Sequence, residues 1–486
     1  MPNACVIVGL AMGCYSAGTL AGASLSAATR LFVRTEAPVI ALTHVKAIDG
    51  TGAGSASDQT IVIDHGRIQA LGSSTSTTPP SGAQVLNLSG YTVIPGLVGM
   101  HEHLTRLVLA SEYDGWKQPI LMQVELAVSG PRLLLASGVT TFRTAGTTEP
   151  YTELNLKLLI DEGKIPGPKM HVTGPRLGDQ GDFRPQLHRL QGPEDARRTI
   201  NYWADEGVTS FKAYQNITRE ELAAAIETVH RRGLKMTGHL CSIGFREAIA
   251  LGIDNLEHGI ITDTDFVPDK QPDVCPQGAS SLPQLDLTSR PVQDLIAEMV
   301  RGHVALTSTL PVFEPPRRAP LDGRVLDALS PQAREEYLAM RGYTLHATAT
   351  AAVATLINTT FYKEMQFERA FVKAGGLLMA GSDPGGGAPG VIPGFGMQRE
   401  VELLVEAGFS SVEAIHIATA NGARFLNESD HIGTIEVGKQ ADLVIIHGDP
   451  ESNINDLQKI EIVFKDGIGY DPAKLLQSVR GKVGLE

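Results

Sequence analysis

Two kinds of hydrophobic pattern divide this chain. Residues 38–92 and 428–486 contain short runs in which apolar and polar positions alternate between Gly and Asp turns, such as "QTIVIDHGRIQALG" and "HIGTIEVGKQADLVII". A period of two residues is typical of half-buried β-strands. We therefore predict that these two segments, from opposite ends of the chain, build one small β-domain.

Residues 93–427 alternate short apolar runs with longer segments of helical spacing. The apolar runs include "TVIPGLVGM", "GVTTFRTAG", "KMHVTG", "VTSFKAY" and "LLMAGSD", while "PEDARRTINYWADEG" and "REELAAAIETVHRRG" have helical spacing and end in Gly. We count about eight such units, which predicts an α/β fold with a parallel sheet closed into a (β/α)8, or TIM, barrel. A doubly wound open sheet is the alternative, but no Gly-rich phosphate loop follows the first strand.

Composition supports a globular protein and excludes one class of partner. The chain has 486 residues, of which 42% are hydrophobic and 20% are charged, and its formal net charge is -13. A nucleic-acid-binding protein needs a basic face to displace counterions, so we expect no nucleic-acid partner. We expect a homo-oligomer that acts on a small molecule.

Residues 1–29 form an apolar leader of small side chains that contains no Lys or Arg. This composition suits a secretory signal, but the basic start of such a signal is missing. Two locations stay open: the periplasm or the exterior if the leader is a signal peptide, and the cytoplasm otherwise. We expect no membrane span in the mature protein, because Gly and Ser give a poor hydrocarbon-facing helix.

The four cysteines do not predict a disulfide framework. Cys5 and Cys14 lie in the leader, and Cys241 and Cys275 are far from each other in sequence.

Polar side chains stand where the predicted barrel strands end. The first strand, in "VIPGLVGMHEHL", finishes with His101 and His103, which point to the same side because residues two apart in a strand share a face. Later strands end with further candidates, namely Lys212 on the fourth, His239 on the fifth, His258 on the sixth and Asp383 on the eighth. Singly, each has a structural explanation as a hydrogen-bonded rim histidine, a paired lysine or a turn aspartate. Because these strand ends meet on the active face of a barrel, the whole set predicts a metal site.

The residue types indicate the chemistry of that site. Imidazole and carboxylate ligands suit a divalent cation such as zinc. A charged Lys212 would repel a metal, whereas a carbamate formed from its amine and carbon dioxide would bridge two ions. Two such ions would hold a bridging hydroxide that attacks a carbonyl carbon. Asp383 would accept the proton of this hydroxide and then pass it to the leaving group, as general base and acid.

The order of these motifs resembles the metal-dependent amidohydrolase superfamily, and most closely its imidazolonepropionase-related and prolidase-like branch. The resemblance rests on "PGLVGMHEHL", "SFKAY", "GHL", "EHG", "AGSDPGG" and the closing "GTIEVGKQADLVII". It implies a (β/α)8 barrel over residues 93–427, a small β-sandwich over residues 38–92 and 428–486, and a binuclear centre that hydrolyses amide bonds.

The resemblance also implies a role for each ligand. His101 and His103 would bind the more buried metal, and His239 and His258 the more exposed one. Carboxylated Lys212 would bridge both ions, and Asp383 would bind the buried metal and act as the base.

One position departs from the family pattern. The family usually has Asp two residues before the first His, where this chain has Gly99. Because that Asp is not itself a ligand, we expect its loss to alter the support of the ligands and not metal binding. Alternation points the neighbouring Glu102 away from the ions.

The substrate is less well determined. Two interpretations stay open for Tyr214, two residues beyond Lys212: a hydrogen bond to the substrate carbonyl or the tetrahedral oxyanion, and a tyrosine packed at the barrel rim. Arg143, Arg176 and Arg184 are candidates to receive a substrate carboxylate, with surface salt bridging as the alternative for each. The Pro-rich segment 262–291 is expected to cover the active face.

The main hypothesis is therefore a dipeptidase-like hydrolase that cleaves a peptide or N-acyl amino acid amide. The alternatives are a hydrolase of cyclic amides, a hydrolase of aryl amides, carbamates or ureas, and a metal-free scaffold without catalytic activity.

Overall fold

The computed structural model describes residues 24–108, 122–178, 187–276, 281–385 and 390–484. Within these ranges the strands are β1 (Val33–Thr35), β2 (Val39–Ala47), β3 (Ala56–Asp64), β4 (Arg67–Ser73), β5 (Gln84–Asn87), β6 (Tyr91–Pro95), β7 (Leu97–Glu102), β8 (Thr105–Val108), β9 (Met122–Glu125), β10 (Val139–Thr144), β11 (Lys169–His171), β12 (Thr173–Leu177), β13 (Ser210–Ala213), β14 (Lys235–Gly238), β15 (Asn255–Glu257), β16 (Ala305–Ser308), β17 (Leu378–Ala380), β18 (Leu443–His447), β19 (Ile460–Lys465) and β20 (Ile468–Tyr470).

The α-helices of the same ranges are α1 (Ala27–Arg30), α2 (Ser129–Ala136), α3 (Pro150–Asp161), α4 (Pro193–Glu206), α5 (Arg219–Arg231), α6 (Phe245–Leu251), α7 (Arg290–Arg301), α8 (Leu310–Phe313), α9 (Gly323–Ala328), α10 (Pro331–Ala347), α11 (Ala351–Lys373), α12 (Phe395–Glu406), α13 (Ser411–Ile417), α14 (Ala420–Phe425) and α15 (Pro472–Val479). Short 3-10 helices cover Gly259–Thr262, Leu282–Gln284 and Ile454–Gln458. Residues 1–23 of the expected leader lie outside the described residues.

Strands from both ends of the chain share one mixed sheet. Its order is β1-β20-β19-β18-β6-β2-β3-β4, with β5 paired to β2. Strand β18 runs antiparallel to β6, with Val444 opposite Ile94, and β6 runs parallel to β2. Ile40 from β2 packs with Leu443 and Ile445 from β18 in one apolar cluster. The two strand-rich segments therefore bury apolar surface against each other.

The remaining parallel strands form two sheets, ordered β11-β10-β7 and β12-β13-β14-β15-β16-β17. Only Val172 separates β11 from β12, and Thr173 donates its N–H to Thr144 Oγ1 at 2.9 Å. On the other side, the N–H groups of Ser382 and Asp383 donate to the carbonyl of His101 at 3.1 and 2.9 Å. Hydrogen bonds thus connect the two parallel sheets at both sides, and the predicted α/β class is confirmed.

Capping residues mark the ends of these helices, and the glycine after α4 is one that the sequence predicted. The Thr218 side chain accepts from the Glu221 N–H at the start of α5, and Glu221 returns a bond to the Thr218 N–H. Helix α4 ends at Gly207, whose φ of 102° lies in the left-handed region that favours glycine.

The run "TVIPGLVGM" contains parts of two strands, β6 and β7. The chain passes from β6 in the mixed sheet to β7 in a parallel sheet at Pro95 and Gly96. A Cβ on Gly96 would lie 2.0 Å from Thr140 Oγ1, so the crossing leaves no room for a side chain. The Pro-Gly pair therefore marks the point where the chain changes sheets.

Four further elements were not predicted. Strands β8 and β9 form an antiparallel pair after His103, and α10 and α11 form a long helical connection before β17. Helix α11 buries Phe361, Phe367 and Phe371 in its second half, while most of its first half is exposed or half-buried. Among the described helices, we find none with both the length and the hydropathy needed to cross a bilayer.

Candidate metal centre

The six predicted ligands lie at the carboxyl ends of parallel strands. They are His101 and His103 at the end of β7, Lys212 in β13, His239 after β14, His258 after β15 and Asp383 after β17. His239 is half-buried and the others are buried. The strand ends therefore present all six side chains to one region of the interior.

Asp383 lies at the centre of the group. Its Oδ1 is 3.4 Å from His101 Nε2 and 3.3 Å from His103 Nε2. Its Oδ2 is 3.9 Å from His258 Nδ1. One carboxylate thus faces three imidazoles from two strands.

Lys212 and His239 complete the group. The Lys212 Nζ lies 3.3 Å from His101 Nε2. The ring centroid of His258 is 4.5 Å from that of His239 and 4.5 Å from that of His101. The structure therefore brings all six predicted residues together.

The residues fit a divalent metal ion. One ligand atom each from His101, His258 and Asp383 lie within 4.8 Å of one another. The Nε2 atom of His258 is buried and has no hydrogen-bond partner among the described residues. A buried polar atom without a partner is unfavourable unless something else satisfies it. Imidazole nitrogens and a carboxylate at this spacing are ligands that zinc and similar ions prefer.

Burial shifts the imidazole and amine pKa values toward the neutral forms that bind metals. It lowers the pKa of Lys212 to about 8 and the pKa of both His103 and His239 to about 3. Burial raises the pKa of Asp383, but His101 and His103 outweigh this effect and hold the pKa of that carboxyl well below its usual value. Neutral imidazoles and an ionised carboxylate are the forms that bind metals.

His101 is oriented by a buried ion pair that the sequence analysis missed. Its Nδ1 lies 2.8 Å from Glu257 Oε2, and Glu257 Oε1 accepts from the Arg143 guanidinium at 2.6 Å. Burial raises the pKa of Glu257, but Arg143 and His101 more than offset it, so this pKa lies well below its usual value. A carboxylate on the second nitrogen of a ligating histidine fixes the ring and its tautomer. Glu257 directly precedes His258 in "EHG", and this position next to a candidate ligand is the sequence feature that could have identified it.

This network corrects the expectation that Arg143 receives a substrate carboxylate. Arg143 is 1% exposed, and its other nitrogens donate to the Met100 carbonyl and to Asn255 Oδ1. All three guanidinium nitrogens are bonded to protein atoms, and Arg143 acts on the site through Glu257, which contacts His101.

The other residues of "EHG" also have identifiable roles. His258 has a φ of 68°, and Thr309 Oγ1 lies 2.8 Å from its Nδ1. Glu364 accepts from the N–H groups of Ile260 and Ile261 at 3.2 and 2.8 Å, which fixes the turn after His258. A Cβ on Gly259 would lie 1.6 Å from Glu364 Oε1, so only glycine fits there.

Tyr214 and Arg176 stand beside the group. The Tyr214 ring centroid lies 5.0 Å from that of His239, and the Arg176 guanidinium carbon lies 4.9 Å from the Tyr214 ring. Arg176 is 8% exposed, and its Nε has no hydrogen-bond partner among the described residues. Arg184, also predicted as a candidate to receive a substrate carboxylate, lies outside the described residues. Arg176 is therefore a buried cation next to the candidate ligands.

The segment after His258 is joined to the loop after β14. Cys241 and Cys275 form a disulfide, a pairing that their separation in sequence did not predict. Lys270 Nζ donates to the Ser242 carbonyl at 2.6 Å, and Thr264 Oγ1 donates to the Cys241 carbonyl at 2.9 Å. These contacts attach the Pro-rich segment to Cys241 and Ser242, which follow His239 closely in the chain.

Comparison with known proteins identifies the family. The model of the Amidohydrolase family matches residues 92–266 and 365–468, together more than half of the chain. The dihydroorotase of Trichlorobacter lovleyi is 27% identical over 196 residues, which cover 36% of this chain and 42% of that protein. The chain therefore spans less than half the length of this curated relative.

Solved structures match nearly the whole chain. A prolidase candidate from Bifidobacterium longum is 26% identical with a TM-score of 0.65, and the match covers 91% of this chain and 98% of that one. A Xaa-Pro dipeptidase with methionine bound in its active site shares the fold at 21% identity and a TM-score of 0.65, over 89% of this chain and 100% of that one. On the match of the family model, this chain belongs to the amidohydrolase family.

Proposed function

We propose that this protein is a metal-dependent hydrolase of carbon–nitrogen bonds that cleaves amides of the peptide or N-acyl amino acid type. The observation that carries the proposal is the convergence of His101, Lys212 and Asp383, with three further histidines, at the carboxyl ends of parallel strands. Membership of the amidohydrolase family supports the reaction class.

The proposed architecture is a closed (β/α)8 barrel over residues 93–427 and a β-sandwich built from residues 38–92 and 428–486. Hydrogen bonds at both sides of the two parallel sheets support closure. The mixed sheet shared by the two chain ends supports the second domain.

In the proposed centre, His101, His103 and Asp383 would hold one divalent ion, and His239 and His258 would hold a second. Zinc is the expected metal, and Lys212, converted to a carbamate, would be an anionic ligand shared by the two ions. The lowered pKa of Lys212 supports this role, because only the neutral amine combines with carbon dioxide. Bound divalent ions supply Lewis acidity and lower the pKa of water.

The chain's own residues supply the remaining chemistry. Asp383, ionised and directed at three imidazoles, takes the proton of the attacking water and delivers it to the leaving nitrogen. The Tyr214 hydroxyl donates to the substrate carbonyl oxygen, where negative charge develops. Glu257 keeps His101 in the tautomer that presents Nε2 to the centre.

The variant Lys212→Ala tests the bridge. We expect it to lose at least one of two bound zinc ions, because the anionic ligand is removed, and to regain part of its activity with a short-chain carboxylic acid. Elemental analysis and turnover measure both effects. The matched control is Lys235→Ala, a lysine at the opposite end of a neighbouring strand, which should keep its metal. Full zinc content and activity in Lys212→Ala would rule out the bridge.

The substrate proposal rests on Arg176 and Tyr214. A buried cation stacked on an aromatic ring beside the ligands suits a carboxylate, which a guanidinium binds through charge-assisted hydrogen bonds. Relatives named for prolidase and Xaa-Pro dipeptidase activity favour an amide that carries a free carboxylate. The second candidate is a cyclic amide, which the dihydroorotase relative favours.

A substrate series tests this assignment. Wild-type zinc protein should hydrolyse dipeptides or N-acyl amino acids better than the same compounds with an amidated carboxyl end. Arg176→Gln should lower kcat/KM for the free acids by about 10- to 100-fold, the effect of losing a charge-assisted hydrogen bond, and leave the amidated compounds unchanged.

The control for that series is Arg290→Gln, since Arg290 is exposed on α7. An equal loss on acids and amides would argue against carboxylate recognition, and hydrolysis of neither would argue against the proposed function.

We also propose that the protein is a homo-oligomer that associates through the connection formed by α10 and α11. Residues 342–362 contain no Asp, Glu, Lys or Arg in a chain of net charge -13. Tyr343, Leu356 and Tyr362 are nevertheless 71%, 48% and 46% exposed there. Exposed apolar surface marks interaction sites, and a segment without acidic side chains lets two negative chains approach each other there.

Sedimentation of the purified protein tests this surface. The wild type should sediment as a multiple of the chain mass, and Tyr343→Glu/Leu356→Glu should sediment as a monomer, because each association would bury uncompensated charge. Leu31→Glu, at a site 68% exposed on another part of the surface, is the control and should not dissociate the oligomer. A monomeric wild type would refute the proposal.

A further inference from the structure

The space left by Gly99 is filled by Glu102. A Cβ on Gly99 would lie 2.9 Å from Glu102 Cγ and 3.1 Å from its Oε1. Glu102 is completely buried. Its side chain therefore lies against the backbone of Gly99, where any larger residue at position 99 would push it away.

The carboxyl group of Glu102 fixes the residue before Asp383. Its Oε1 accepts from the Ser382 N–H at 3.1 Å, and its Oε2 accepts from the Ser382 hydroxyl at 2.7 Å. On the other side, Gly396 lies so close that its Cβ would be 2.8 Å from Ser382 Cβ. Ser382 is thus fixed between the first parallel strand and α12.

Asp383 depends on this arrangement for its conformation. Its φ of 48° lies in the left-handed region, which is uncommon for residues other than glycine, although Asp adopts it more readily than most. Its N–H donates to the His101 carbonyl at 2.9 Å, and its neighbour Ser382 is held by Glu102. The direction of the Asp383 carboxylate is therefore set by contacts from β7.

We propose that Glu102 is the positioning residue that directs Asp383 toward the metal centre through Ser382, and that Gly99 provides the space this requires. Both residues of the pair lie on the strand that carries His101 and His103, so one strand supplies two ligands and orients a third. For the part Asp383 plays in turnover, this inference rests on the proposed function.

A mutational cycle tests the coupling between positions 99 and 102. The variants are Glu102→Gln, Glu102→Val, Gly99→Ala and the double variant Gly99→Ala/Glu102→Val. Glu102→Gln keeps an acceptor for the Ser382 N–H and should stay within about 3-fold of wild-type kcat. Glu102→Val and Gly99→Ala should each lower kcat by about 100-fold with little change in KM, as expected when a reacting group is misplaced. The double variant should be no worse than Glu102→Val alone, because both changes remove the same contact.

Two further readouts do not depend on turnover. Zinc should dissociate faster into a chelator from Glu102→Val than from Glu102→Gln, and a crystal structure of Glu102→Val should show Asp383 in a different backbone conformation. If the wild type hydrolyses no amide, the proposed function fails, while these two measurements still decide the role of Glu102.

The control is Thr92→Val, which removes a buried hydrogen bond to the Gly448 carbonyl in the mixed sheet. It should lower the melting temperature without changing kcat or zinc release. Independent, multiplying losses from positions 99 and 102, or an unchanged Asp383 and zinc release in Glu102→Val, would overturn the proposal. If Glu102→Val does not fold, Ser382→Ala removes the same hydroxyl contact and should accelerate zinc release.

Discussion

The site depends on the contacts that converge on His101. Its Nδ1 meets Glu257, its Nε2 faces Lys212 and Asp383, and its carbonyl accepts the N–H groups of Ser382 and Asp383. One residue at the end of β7 thus connects the first parallel strand with the last. The geometry of the whole ligand group follows from where the ends of β7 and β17 meet.

Burial gives this arrangement its chemical character. Desolvation favours neutral imidazoles and a lysine that releases its proton more easily than in water. The buried Glu257 carboxylate is compensated by the Arg143 guanidinium, whereas the Asp383 carboxylate faces the His103 imidazole, which burial keeps neutral. An interior with these properties favours a metal ion, because the ion would supply the positive charge that the ligands otherwise lack.

The sequence predicted the alternation of strands and helices and the six candidate ligands, because strand ends in a parallel fold meet on one face. It did not predict which polar neighbours support the ligands. Glu257 stands next to His258, but only the packed structure shows that it reaches His101. Arg143 was predicted to bind substrate because no local sequence pattern distinguishes a buried guanidinium, bonded to protein atoms, from an exposed one.

Contacts between distant segments were also beyond the sequence. The Cys241–Cys275 disulfide joins residues 34 positions apart, with no spacing motif to indicate it. Disulfides are typical of oxidising compartments. The composition of the leader left the compartment of this protein open. The Glu102 side chain occupies the space that a side chain at position 99 would need, and the sequence does not reveal this contact.

The proposed function depends above all on Asp383, which would move the proton in an amide hydrolysis at a metal centre. The most direct test is the turnover of the zinc-loaded variant Asp383→Asn, with its zinc content measured in the same sample. The variant should keep much of its zinc and lose turnover by about 100- to 10,000-fold, the contribution of general acid–base catalysis. Turnover close to that of the wild type in the zinc-loaded variant would show that Asp383 is not the base.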